Sequence, residues 1–236
     1  MKGILAILLT VAFGLAVSAD PGDQATAMWD QLLQKYVDDS GNVNYKGFKA
    51  DPKFDACLEA FADQHPSVTW KESERMAFWI NVYNAYTVKL IVDNYPLKSI
   101  TDLKEPWDQQ FINLKGNVYS LNHIEHKILR PVFKDPRVHF AVNCASYSCP
   151  KLHNKAFRAE NLNSTLNSLT KGFLKDQKRN KINASSPQVS QIFDWFKDDF
   201  AEDGGVITFI NKYSDTKIAS GAELKYLEYG WSLNGQ

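Results

Sequence analysis

The sequence predicts an α+β fold: a predominantly helical single domain with a central buried helix and a small, mainly antiparallel sheet. Three observations predict it. Residues 72–95 form one run that is apolar on nearly all sides, as a helix at the centre of a core would be. Helical patterns and short strand-like runs follow one another in mixed order, without a βαβ repeat. Aromatic residues make up 13% of the 236-residue chain, which favours a substantial core over disorder. No repeat, low-complexity tract or Pro/Gly-rich linker divides the chain, so one domain is expected over residues 20–236.

The first segment precedes that domain. Residues 1–19, MKGILAILLTVAFGLAVSA, place one early lysine before a long apolar stretch and end in Val17-Ser18-Ala19, small at the cleavage positions. This reads as a secretory signal peptide. Its apolar run of about fifteen residues is short of the roughly twenty that span a bilayer. No cysteine follows to carry a lipid anchor. We expect cleavage after Ala19 and an exported protein, periplasmic or secreted, with no membrane insertion.

The remaining elements follow in order. Thr26 to Tyr36 has apolar residues at helical spacing. Ser40-Gly41-Asn42 is a turn, followed by an extended piece through Val43 and Tyr45. Residues 52–63 form an amphipathic helix. The central helix runs from Glu72 to Tyr95 and Pro96 ends it. FINLKGNVYSL, residues 111–121, is a hairpin turning at Gly116-Asn117. Ser120 caps a helix that runs to Arg130 and is stopped by Pro131. Val138 to Val142 reads as a buried strand. Helices are expected at 159–174, 188–200 and 205–213. The tail, residues 222–233, alternates like a late strand.

Composition excludes some functions. Without the leader the chain carries 26 basic and 27 acidic residues, which leaves no electrostatic footprint for nucleic acid or acidic lipid. No nucleic-acid partner and no cofactor are expected. A peptide or small-molecule ligand and a monomeric state are.

The chemistry concentrates in His139–Pro150, HFAVNCASYSCP. An apolar run that ends abruptly in polar, reactive side chains presents them at a surface. Cys144 is a candidate nucleophile, since a neighbouring imidazolium can lower a thiol pKa greatly. The candidate bases are His126, favoured because it sits on a separate helix, and His139. On a regular strand His139 and Cys144 point to opposite faces unless the chain bends near Asn143. Asn81 and Asn84 share one face of the most apolar helix, and something must satisfy their amides. They either tie the helix to neighbouring backbone or line a pocket and orient a catalytic imidazole or hold an oxyanion, with Asn84 in the catalytic set and Asn81 contacting substrate. Arg130 lies one turn from His126 and could clamp a carboxylate.

Two other readings use the same stretch. Cys144 and Cys149 could form a short-loop disulfide, which leaves Cys57, on an apolar helix face, buried and inert. His139, Cys144, Cys149 and His153 could bind zinc, though their spacing matches no zinc signature. The C-x4-C spacing also departs from the C-x-x-C of dithiol oxidoreductases.

FWINVYNAYTVKLI, SLNHIEHKILRPVF, DPRVHFAVNCASYSCPKL and YGWSLN occur in that order. Together they resemble the domain of unknown function 547 family, from about Tyr45 to the end, with a family core at about 72–200. The resemblance implies no particular activity. Its motif positions fall on Asn81, Asn84, Glu125, His126, Arg130, His139 and Cys144, which adds Glu125 to the residues expected to meet a ligand. Some relatives look like they carry serine at the position of Cys149, which implies that shared chemistry rests on Cys144. The leading functional expectation is a thiol-dependent hydrolase or transferase of the cell envelope, acting on an amide or thioester. The alternatives are a non-catalytic peptide- or protein-binding module, and a zinc-bound or disulfide-stabilised structural domain.

Overall fold

A computed structural model describes residues 21–235. The expected leader, Met1–Ala19, lies outside the described residues. The fold is mainly helical with little sheet, as predicted. Helices α1 (Pro21–Tyr36), α2 (Tyr45–Ala50) and α3 (Pro52–Ala62) pack around α4 (Glu72–Asp93). Sixteen of the 22 residues of α4 are buried, so its uniform apolarity reports a helix enclosed on all sides. Tyr45 opens α2 rather than continuing an extended piece, because the Asn44 side chain accepts from Gly47 N–H and caps the turn.

Strands β1 (Ile112–Leu114) and β2 (Asn117–Tyr119) form an antiparallel hairpin. Its turn is Lys115-Gly116, both at positive φ, one residue earlier than expected; a two-residue type I′ turn needs that conformation at both positions. Ser120 caps α5 (Leu121–His123) by accepting from His123 N–H. The helix does not stop at Pro131. It passes through a π-helical stretch, Ile124–Leu129, into α6 (Arg130–Phe133), with Pro131 in the first turn of α6. The missing proline N–H falls at the change of register, where it interrupts least.

The strand expected at Val138–Val142 is a 3-10 helix, Pro136–Phe140. Asp135 accepts from Arg137 N–H, Pro136 pre-sets the backbone, and Val138 and Ala141 donate three residues back. A short apolar run fits a buried helical turn as well as a strand, and here the cap decides. Helix α7 (Leu162–Lys175) follows. The helix expected at 188–200 is instead strand β3 (Gln188–Val189), short helix α8 (Ile192–Trp195) and a 3-10 segment, Lys197–Asp203. After α9 (Val206–Tyr213), strand β4 (Lys225–Tyr226) pairs with β3 in parallel. Among the described residues no helix is long and apolar enough to cross a membrane.

Two apolar clusters share the interior. The larger surrounds α4; the smaller gathers Phe140, Phe173, Phe193, Phe200 and Phe209. The 3-10 helix lies at their seam, sending Phe140 into one and Val138 into the other. Asn81 and Asn84 fasten α4 to what lies around it. Asn84 Nδ2 donates to Ala141 O at 2.9 Å, and its Oδ1 accepts from Asn143 N–H at 2.9 Å. Asn81 does the same with Phe157, at 2.8 and 2.9 Å. Both side chains are about 1% exposed. Replacing Asn84 with Ala orphans a buried carbonyl and a buried N–H, so we expect a loss of roughly 2–4 kcal/mol in urea unfolding. A loss below about 0.5 kcal/mol would show that the clamp does not hold the loop.

Candidate active cleft

The 3-10 helix leads directly into the cysteine loop. Asn143 organises that loop from within: its Oδ1 accepts from Ala145 N–H and its Nδ2 donates to Pro150 O. Ala145 sits at φ 60°, a conformation side-chain-bearing residues seldom adopt. The C-terminal segment holds the loop from outside. Tyr147 N–H donates to Ser232 O, Ser148 N–H to Gly230 O, and Asn234 N–H to Ala145 O. A Cβ on Gly235 would lie 1.9 Å from Val43 O, so only glycine fits that close approach.

Together these elements enclose a cleft of ≈ 190 Å³ at the seam of the two apolar clusters. Cys144, Cys149, His126, His139, Glu125 and Tyr83 line its polar side. Trp107, Trp195, Phe196, Tyr229 and Trp231 line the apolar side. Asp199, Tyr229 and Ser146 are not among the residues expected from the sequence. Asp199 stands in a run of charged residues, KDDFAED, that looks like a solvated face.

Asp199 is the electrostatic centre. Its carboxylate accepts from Arg130 Nε at 2.6 Å and Nη2 at 2.9 Å, and from His139 Nε2 at 2.7 Å. Partial burial would raise its pKa, but the His139 and Arg130 hydrogen bonds hold it well below the usual carboxylate range. The carboxylate that Arg130 clamps is therefore the protein's own. The third arm of Arg130, Nη1, reaches His126 Nδ1 at 2.7 Å. Arginine has no acceptor, so Nδ1 must accept and the proton of the neutral ring sits on Nε2. Burial, with the Arg130 charge added, lowers the His126 pKa against the opposing pull of Glu125. His126 is thus a neutral N–H donor and not a base. Phe196 stacks on His139 at 4.1 Å and lies under the Arg130 guanidinium at 4.8 Å, fixing both.

His139 and Cys144 both face the cleft, because the chain between them is a 3-10 turn and a clamped loop instead of a strand. No hydrogen bond joins Cys144 to either imidazole among the described residues. Cys144 Sγ lies 3.1 Å from Ser146 Oγ and 3.3 Å from Tyr229 OH, and its backbone N–H donates to Cys149 Sγ at 2.9 Å. Hydrogen bonding from the Cys149 thiol, then from Ser146 and Tyr229, overcomes burial and lowers the Cys144 pKa to about 7. Burial raises Cys149 well above an ordinary thiol. Cys57 is fully buried and pushed up to about 12 by burial.

Other expected site residues fall elsewhere. Asn81 and Asn84 stand behind the loop with both ends of each amide engaged by backbone; their role is to hold it, not to touch a substrate. Glu125 is buried at the cleft wall and accepts from Tyr83 OH at 2.8 Å. His153 packs edge-on against Phe157, away from the cleft. The zinc set His139, Cys144, Cys149 and His153 does not converge, and among the described residues no group of three or more His, Cys, Asp or Glu is placed to hold a metal. All three cysteines are thiols here.

This geometry sets the reactivity of Cys144. Its alkylation rate should rise through an inflection near pH 7. Cys149→Ala should move the inflection upward, because a donor to the thiolate is lost; Cys149→Ser keeps a donor and should move it less. His126→Ala should leave it in place, since a neutral ring adds no charge. An unchanged inflection in Cys149→Ala would remove Cys149 as the cause.

No curated protein and no solved structure matches the chain. A family model does match, over residues 67–174, and its description is "Protein of unknown function, DUF547". The match is shorter than the span the motifs suggested, stopping before Asp199 and Tyr229. It includes the central helix, the π-helical stretch and the whole cysteine loop. Through this segment, residues 67–174, the chain is similar to the DUF547 family of proteins of unknown function.

Proposed function

We propose that the protein is a thiol-dependent acyl hydrolase or transferase, acting on an amide or thioester in the cell envelope after export. The observation that supports it best is the Asp199–His139 pair, which faces the same cleft as Cys144. An imidazole with one nitrogen fixed by a carboxylate, beside an activatable nucleophile, follows the logic of hydrolytic triads. Asp199 takes His139 Nε2, and among the described residues no hydrogen bond occupies Nδ1. Such contacts are often long before substrate binds, so the missing Cys144–His139 hydrogen bond does not count against the pair.

In this reading the Cys144 thiol gives its proton to His139 Nδ1, and the resulting thiolate attacks the carbonyl carbon. His126 Nε2–H hydrogen-bonds the developing oxyanion. The C–N or C–S bond breaks, and the leaving group takes a proton from His139 Nδ1. Water, or an acceptor nucleophile that gives its proton to His139, then displaces Cys144 from the acyl group.

A non-catalytic binding module draws on a different observation. The aromatic wall is extensive, with Tyr229 and Trp231 centroids 4.6 Å apart, and the Cys144 sulfur is already engaged by hydroxyls. Simple acyl thioesters and acyl amides separate the two readings. We expect an acyl adduct on Cys144 by intact mass, none in Cys144→Ala, and turnover about 10²–10⁴-fold slower in folded Asp199→Asn. Turnover that survives Cys144→Ala would overturn the proposal; probe binding without any acyl adduct would favour the binding module. Export predicts a mature protein beginning at Asp20, and retention of Met1–Ala19 in the secreted form would refute it.

A further inference from the structure

The second thiol of the cleft has no part in acyl transfer, yet the loop is built to keep it beside the first. Cys149 Sγ accepts from Cys144 N–H at 2.9 Å, which holds the second sulfur against the first residue of the pair. The Asn143 amide ties the start of the loop to Pro150 O, and Cys149 N–H closes a turn onto Ser146 O. Arg179 Nε donates to Cys149 O at 2.8 Å and pins the far end. The two sulfurs differ in access. Cys144 is partly exposed at the cleft, whereas Cys149 is 4% exposed. Ser146 and Tyr229 hydroxyls flank Cys144 Sγ, where they can hydrogen-bond the oxygens of a small polar molecule.

We propose that Cys144 and Cys149 are a redox pair that reduces hydroperoxides: Cys144 is the attacked thiol and Cys149 resolves it into a reversible disulfide. In the first step the Cys144 thiolate attacks the terminal oxygen of R–O–O–H. The S–O bond forms, the O–O bond breaks, and the alkoxide leaves as R–OH with the proton the Cys144 thiol gave up. In the second step the Cys149 sulfur displaces hydroxide from Cys144 S–OH. The S–S bond forms, the S–O bond breaks, and the hydroxide leaves as water with the Cys149 proton. The two thiols lose two electrons and the peroxide gains them. An external dithiol returns the pair by exchange.

The electrostatics fit this order. The thiol held near neutrality is the exposed one, so it carries the thiolate. Cys149 is raised first by burial and then by the Cys144 thiolate. The second cause disappears once Cys144 is a neutral sulfenic acid, so Cys149 becomes easier to ionise at that point, with burial still opposing it. Cys57, buried and far less acidic, is an internal control.

The test uses the full reduced chain and one equivalent of cumene hydroperoxide. Thiol titre should fall from three to one and return to three with dithiothreitol, and peptide mapping should find Cys144 joined to Cys149. Folded Cys149→Ala should stop at a sulfenic acid on Cys144 that dimedone traps. Cys144→Ala should lose thiols at least about tenfold more slowly. The proposal is overturned if wild-type Cys144 goes on to sulfinic acid while Cys149 stays alkylatable, or if Cys144→Ala is oxidised as fast as the wild type. Failure here leaves acyl transfer standing, because that reading needs Cys144 without Cys149. Conversely, an absence of acyl adducts leaves the redox pair standing.

Discussion

Everything at the cleft rests on how a fully enclosed helix is fastened to an irregular loop. The backbone of α4 has no spare donors or acceptors in its interior, since its own ladder uses them. The segment from Ala141 to Pro150 is largely buried yet forms neither helix nor regular strand, so its buried polar groups need partners brought to them. Asparagine meets that need, because one short side chain offers a donor and an acceptor that imitate a strand neighbour. Asn84 serves the loop from the helix, Asn143 from within, and Asn234 from the tail, where its Oδ1 also accepts from Tyr45 OH at 2.6 Å. The π-helical stretch complements this on the opposite wall, where Glu125 is buried and His126 lies within reach of Arg130.

Asp199 governs the charge of the site in the same economical way. One carboxylate fixes the orientation of His139 and the position of Arg130, and Arg130 in turn fixes the tautomer of His126. Because its folded pKa is depressed, Asp199 contributes stability that is fully present above the ordinary carboxylate pKa. That contribution is lost as pH falls through the range between the unfolded and folded values. Acid therefore releases both histidines and the arginine from one event.

Much of this was legible in the residues, and the exceptions have physical causes. The central helix declared itself because no face of it is polar, and Asn81 and Asn84 stood out against that background. The hairpin and the Ser120 cap could both be read locally. The 3-10 turn at Pro136–Phe140 could not, because a five-residue, mostly apolar run has no diagnostic period and the deciding cap is Asp135. Pairing His126 with Cys144 assumed a charged imidazole, and only the guanidinium at Nδ1 reveals it as neutral. Asp199, Tyr229 and Trp231 lie tens of residues beyond the loop they serve, and such closure leaves no local trace. Tyr229 and Trp231 fall in the recognised terminal motif, yet their place in the cleft wall depends on that long-range pairing.

The docking of residues 229–235 has a kinetic consequence. Contacts between this segment and the cysteine loop join residues more than 80 positions apart, and the Tyr45–Asn234 hydrogen bond spans 189. Loop-closure entropy must be met before such contacts return anything, so they belong to the late phase of folding. Until they form, the cleft lacks Tyr229 and Trp231, and Cys144 lacks one of the hydroxyls that make it acidic. An incompletely folded molecule therefore carries a less acidic thiol at this position, and the thiol reaches its full acidity only in the last stages of folding.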